Sequence, residues 1–60
     1  MKWIEVTTTS TDKGDLKARM TGSVESKQKP YKELEEKEGY SLCFDYFRTR
    51  KLAEEFIKGT

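Results

Sequence analysis

From Tyr40 to Phe47 the chain reads Tyr-Ser-Leu-Cys-Phe-Asp-Tyr-Phe, and no other segment restricts the fold as much. Large apolar side chains recur at every second position, the period of a strand. Tyr40, Leu42, Phe44 and Tyr46 share one face, and Ser41, Cys43, Asp45 and Phe47 share the other. The first set is the firmest expected core surface. Just beyond, Leu52, Ala53, Phe56 and Ile57 recur at i, i+1, i+4 and i+5, the stripe of a helix lying on a core. Thr49 is an acceptable N-cap and Gly59 marks the helix end. An aromatic strand running into an amphipathic helix places the chain in the α+β class.

The strand needs partners, and the N-terminal half supplies them. Ile4 and Val6 alternate with Glu5 and Thr7 in a run of stiff β-branched residues, the pattern of a half-buried strand. Asp12-Lys13-Gly14 suits a turn closed by a left-handed glycine. Leu16, Ala18, Met20, Gly22 and Val24 then fall on one face, with Lys17, Arg19, Thr21 and Ser23 on the other. The two segments read as an antiparallel hairpin.

Residues 31–38 are rich in helix formers, Pro30 suits a first helical turn, and Gly39 suits a helix end. Glu33 and Lys37 stand at i, i+4 in the favourable order. The expected order is therefore β-β-α-β-α, a single small domain over residues 1–60. A strand–helix–strand crossover puts the third strand parallel to the second and beside the first. That gives a three-stranded, mainly antiparallel sheet of order 2-1-3 with both helices on one face. Ile4, Val6, Leu16, Ala18, Met20, Leu42 and Phe44 would face the helices. The alternative makes residues 31–36 a strand, giving a four-stranded antiparallel meander plus a C-terminal helix.

Composition narrows function mainly by exclusion. A 60-residue chain buries only roughly 60% of the surface its unfolded form exposes, so it needs reinforcement or good packing. One cysteine, Cys43, forms no internal disulfide, and with no histidine the chain lacks the ligands of a zinc site. The commonest general base is missing too. The four glycines are isolated, so there is no phosphate-binding loop. Neither a membrane-spanning run nor a signal-peptide stretch stands out, and one unpaired cysteine fits a reducing cytoplasmic setting. These features imply a non-enzymatic protein with no cofactor and no metal.

Binding is the remaining class. Basic groups concentrate in residues 13–32, where Lys13, Lys17, Arg19, Lys27, Lys29 and Lys32 meet only Asp15 and Glu25. With the helices on one face, Trp3, Lys17, Arg19, Asp45 and Phe47 would share the open face of the sheet. Arg48, Arg50 and Lys51 place three cations at a helix start, where the macrodipole prefers anions. Pairing of Arg50 with Glu54 and of Lys51 with Glu55 would offset that. Asp45 reads as protection of an edge strand against pairing with another chain. The candidate binding surface is therefore Trp3, Lys17, Arg19, Asp45, Phe47, Arg48, Arg50 and Lys51. It implies a protein partner or a second copy, with homodimer formation included. The alternative is a nucleic-acid binder using Lys17, Arg19, Lys27, Lys29, Arg48, Arg50 and Lys51 around stacking aromatics.

Overall fold

The β-branched run of the N-terminus becomes β1 (Lys2–Thr11), and a tight turn returns the chain as β2 (Leu16–Glu25) in a computed structural model describing residues 1–60. Gly14 takes the left-handed conformation expected of it (φ +90°), and its N–H donates to the Thr11 carbonyl at 3.0 Å. A short β3 (Glu35–Lys37) pairs with β4 (Tyr40–Phe47), and α1 (Arg50–Lys58) closes the chain. All pairings are antiparallel and the sheet order is β2-β1-β4-β3. This is a small α+β domain with four strands and one C-terminal helix, in line with the four-stranded alternative. The strand Tyr40–Phe47 lies beside β1, as the three-stranded scheme also required. No helix is long and apolar enough to cross a membrane.

The helix expected over residues 31–38 does not form. Its stripe holds only Tyr31 and Leu34, which stand 85% and 52% exposed. A helix that short gains little without a buried face, because isolated helices under ~12–15 residues are marginal in water. Residues 26–34 instead cross without regular structure from β2 to β3. Gly39 belongs to the β3–β4 hairpin rather than a helix end. Its φ of +86° is the geometry that the second central position of a type II turn requires. Lys37 pairs with Glu35 at 3.6 Å and not with Glu33.

Register decides which side chains meet. Ile4 lies opposite Phe47, Glu5 opposite Tyr46, Val6 opposite Asp45 and Thr7 opposite Phe44. Directly opposed residues point to the same side of an antiparallel pair. Phe47, Asp45 and Cys43 therefore share a side with Ile4, Val6 and Thr8, and Tyr46 and Phe44 share the other with Glu5 and Thr7. The expected grouping of Leu42 and Phe44 with Ile4 and Val6 is corrected by one residue of register.

A second correction lies in β2. The pairing shifts between Glu5/Gly22 and Val6/Met20, leaving Thr21 as the extra residue of a bulge. Gly22 reaches φ +153°, which other residues rarely adopt. Beyond the bulge the alternation inverts, so Val24 lies opposite Trp3 and leaves the side of Leu16, Ala18 and Met20.

α1 lies on the Ile4–Val6–Phe47 side. Phe47 and Phe56 stack with ring centroids 5.1 Å apart, and Val6 and Ala53 are wholly buried. Thr49 caps the helix as expected, its Oγ1 accepting from the Leu52 N–H at 3.2 Å. Tyr46 and Thr7, the other buried residues, lie on the opposite side. The 26–34 crossover lies there, with Lys32 Nζ 4.3 Å from the Phe44 ring centroid. The sheet is therefore covered in part on both sides, rather than by two helices on one.

Truncating Val6 removes two methyl groups from the only fully buried large side chain, so Val6→Ala should cost about 2 kcal/mol in urea denaturation. Leu34→Ser should change stability by less than about 0.5 kcal/mol. Equal losses for the two would mean that residues 31–38 pack as a helix after all.

Candidate binding surfaces

The side opposite α1 is organised by Glu5. The bulge aims Thr21 at it, and Thr21 Oγ1 donates to Glu5 Oε1 at 2.7 Å. Tyr46 Oη donates to Glu5 Oε2 at 2.9 Å. Thr7 and Thr21 hydroxyls stand 2.8 Å apart, and because the single Thr21 proton goes to Glu5, Thr7 is the donor there. The Thr21 hydrogen bond holds the Glu5 carboxyl below its ordinary value of 4.5, aided by Tyr46 and the nearby Lys32 charge and opposed by partial desolvation. Burial and the adjacent Glu5 carboxylate push the Tyr46 phenol above its ordinary 10.0.

Cations lie over the aromatic rings of this side. Arg48 stacks over Trp3 at 5.1 Å, and its Nη1 donates to Met1 Sδ at 3.3 Å. Trp3 Nε1 donates to the Ser26 carbonyl at 3.1 Å, tying the start of the crossover to β1. The N-terminal ammonium pairs with Glu25 at 2.8 Å. At the far end of the sheet, Lys17 and Arg19 line an open polar cleft of about 290 Å³ with Thr9, Thr11 and Asp15.

The eight predicted surface residues do not form one patch. Trp3, Lys17 and Arg19 lie on the side opposite α1, and Arg48 joins them through its contact with Trp3. Phe47 is half-buried beneath Phe56, and Asp45 is half-buried opposite Val6. Arg50 lines a second cleft of about 280 Å³ with Lys2, Ile4, Met20, Gly22 and Ser23, and Lys51 is exposed on the helix. The expected Arg50–Glu54 and Lys51–Glu55 pairs do not form, since the chain has only the Met1–Glu25 and Lys37–Glu35 ion pairs. At Asp45 β4 is an edge, because β3 reaches only Tyr40–Leu42.

Sequence reasoning missed a third surface, on the α1 side. Thr8 lies opposite both Ala18 and Cys43, and Ser10 opposite Leu16 and Ser41, all on the side of Val6. Cys43 and Leu16 are exposed there. A nine-residue helix spans about 14 Å, whereas a ten-residue strand spans about 33 Å. The helix covers the Ile4–Phe47 end; at this end Leu16 and Cys43 are exposed, while Thr8, Ser10, Ala18 and Ser41 are half-buried and Thr8 Oγ1 is shielded without a hydrogen-bond partner. The signal was present in the relative lengths of the two periodic segments. No group of three or more Cys, Asp or Glu side chains comes together anywhere. No protein-family model, curated protein or solved structure matches the chain.

The Glu5 network predicts a pH profile. Because the folded carboxyl titrates below 4.5, its contribution to stability is present above that pH and lost as pH falls through the lower folded value. The Tyr46 contribution is present below pH 10.0 and lost as pH rises through its higher folded value. Glu5→Gln should flatten the acid limb of stability against pH, remove its own share of the alkaline limb, and cost about 1 kcal/mol at neutral pH. An acid limb unchanged by the substitution, followed by urea denaturation, would place the titrating group elsewhere.

Proposed function

We propose that the chain is a small non-enzymatic binding module that works by contacting protein, either another polypeptide or a second copy of itself. The observation that carries this reading is the apolar surface the fold leaves in water. The total surface, polar and apolar together, is 4713 Å², against about 4,000 Å² expected of a folded monomer of 7.0 kDa, so the fold is incompletely buried. Leu16, Leu52 and Phe56, on the α1 side, stand 59%, 48% and 37% exposed. Met1, Tyr31, Leu34 and Tyr40 are exposed elsewhere, so apolar side chains stand in water at several places, and exposed apolar groups of this kind are available for contact with protein.

A second reading rests on the opposite side. Lys17, Arg19 and Arg48 make no ion pair, and they share that side with Trp3 and Phe44. Unpaired cations beside aromatic rings suit single-stranded nucleic acid. A base stacking on Trp3 would have to displace Arg48, and one on Phe44 would displace Lys32, so Trp3 fluorescence reports the event directly.

One experiment separates the two readings. A photoreactive side chain placed at Leu52, and another placed at Arg19, are illuminated in the cells that make the protein, and the adducts are identified by mass. A polypeptide adduct at position 52 is expected. A nucleic-acid adduct at position 19 with nothing at 52 favours the second reading. That reading also requires salt-dependent Trp3 quenching by oligonucleotide, because phosphate contacts release counterions. No adduct at either position defeats both.

A further inference from the structure

We propose that Tyr31, Lys32, Glu33 and Leu34 form a strap that closes onto the free edge of β4, extending β3 and switching that edge between open and covered. The device stands whichever partner the module contacts.

The edge is built by the shortness of β3. β3 pairs with β4 only at Tyr40–Leu42, so the outer side of Cys43–Phe47 has no strand beside it. The type II turn at Glu38–Gly39 directs the Tyr40 N–H to the Lys37 carbonyl. Backbone groups of successive strand residues turn to opposite edges, so Leu42, Phe44 and Tyr46 turn theirs outward like Tyr40. Glu35 meets Leu42, but the N–H groups of Phe44 and Tyr46 find no partner in the chain.

The strap is equally unpaired. Residues 29–34 make no backbone hydrogen bond, although they lead directly into β3. Lys32 Nζ stands 4.3 Å from the Phe44 ring centroid, so the strap already lies within side-chain reach of β4. Continuing the register from Glu35↔Leu42 places Leu34 opposite Cys43, Glu33 opposite Phe44, Lys32 opposite Asp45 and Tyr31 opposite Tyr46. In that register Glu33 and Phe44 exchange both backbone hydrogen bonds, and so do Tyr31 and Tyr46. Pro30 arrives opposite Phe47 at a position that needs no donor, where an edge strand tolerates proline.

The side chains agree with the register. Asp45 is half-buried and has no ion pair, a charge without a partner in an aromatic strand. Closure sets Lys32 directly opposite it. Tyr31, 85% exposed, moves beside Tyr46, and Leu34 moves beside Cys43. Closure also has costs. Lys32 leaves the Phe44 ring and the neighbourhood of Glu5, and Glu33 comes to the same side as Glu35. The choice of Lys32 between a ring and a carboxylate makes the strap a switch. Open, the edge offers the backbone groups of Phe44 and Tyr46 to an added strand; closed, it offers none.

Amide hydrogen exchange followed by NMR on the whole chain tests the proposal. The Phe44 and Tyr46 amides should exchange at least about tenfold more slowly than unprotected ones, the factor for a strap closed about nine-tenths of the time. The Lys32 amide, which points away from β4 in the closed state, should stay fast. The Hα atoms of Lys32 and Asp45, a non-hydrogen-bonded pair, should show a close nuclear Overhauser contact. Glu33→Pro removes a donor the closed strap needs, so Phe44 and Tyr46 should return to unprotected rates while Leu42, held by β3, stays slow. Asp45→Asn should lower the protection a few-fold through loss of the Lys32 pair. Fast exchange at Phe44 and Tyr46 in the unmodified chain overturns the proposal. Protection that survives Glu33→Pro also overturns it, and protection that grows with protein concentration assigns the edge to a second copy instead.

Discussion

The pairing of β1 with β4 is the contact on which the rest of the molecule depends. It joins the first strand to the last across eight opposed residues, and neither hairpin can build a core without it. β1 is the only strand with a full-length neighbour on each side, which explains why the buried Val6 and Thr7 sit at its centre. Ordering that ladder closes a loop of some thirty residues, and its entropy must be recovered from the side chains the register brings together. Ile4 with Phe47 prepares the seat for α1, while Glu5 with Tyr46 creates the polar network of the other side. One register thus sets both surfaces at once.

The β1–β2 hairpin and α1 were legible in the sequence because each is defined locally. Alternation and a turn glycine fix the first, and a capped apolar stripe fixes the second. The register of β4 was not legible because neither of its faces is polar. Phe47 and Cys43 compete with Tyr46, Phe44 and Leu42, so alternation identifies a strand without saying which side meets the helix. The bulge at Thr21 left a faint mark, a glycine inside a strand pattern, which is how such irregularities announce themselves. Residues 31–38 show propensity overruled by packing. Strong helix formers with two apolar side chains offer nothing to bury, and Lys37 and Glu35 gain a ladder with β4 instead.

The candidate surface was partly legible for the same reasons. Residue types suited to binding were recognised, but their grouping followed from register and coverage, both non-local. Trp3, Lys17, Arg19 and Arg48 do come to one side; Phe47 and Asp45 go to the other because β4 is set one residue away from the expected register. One cation expected to wait for a ligand, Arg48, lies over a ring of its own chain, as does Lys32 of the basic middle segment. Arg48 on Trp3 and Lys32 on Phe44 give those side chains a structural use that charge counting alone does not reveal.

The exposed apolar surface is a geometric consequence of unequal element lengths. Strands of ten residues outreach a nine-residue helix by more than a factor of two, so α1 cannot cover its side of the sheet whatever its sequence. The crossover of residues 26–34 solves the equivalent problem on the other side only near Tyr46 and Thr7. A longer helix would cover more of its side of the sheet, yet Gly59 caps α1 after Lys58. Polar side chains can occupy the end that the helix does not reach, and at Ser10, Ser41 and Glu36 they do. Leu16 was left apolar in the same row, and Leu52 and Phe56 were left apolar on the helix. That combination leaves apolar area in water that the chain's own elements do not cover.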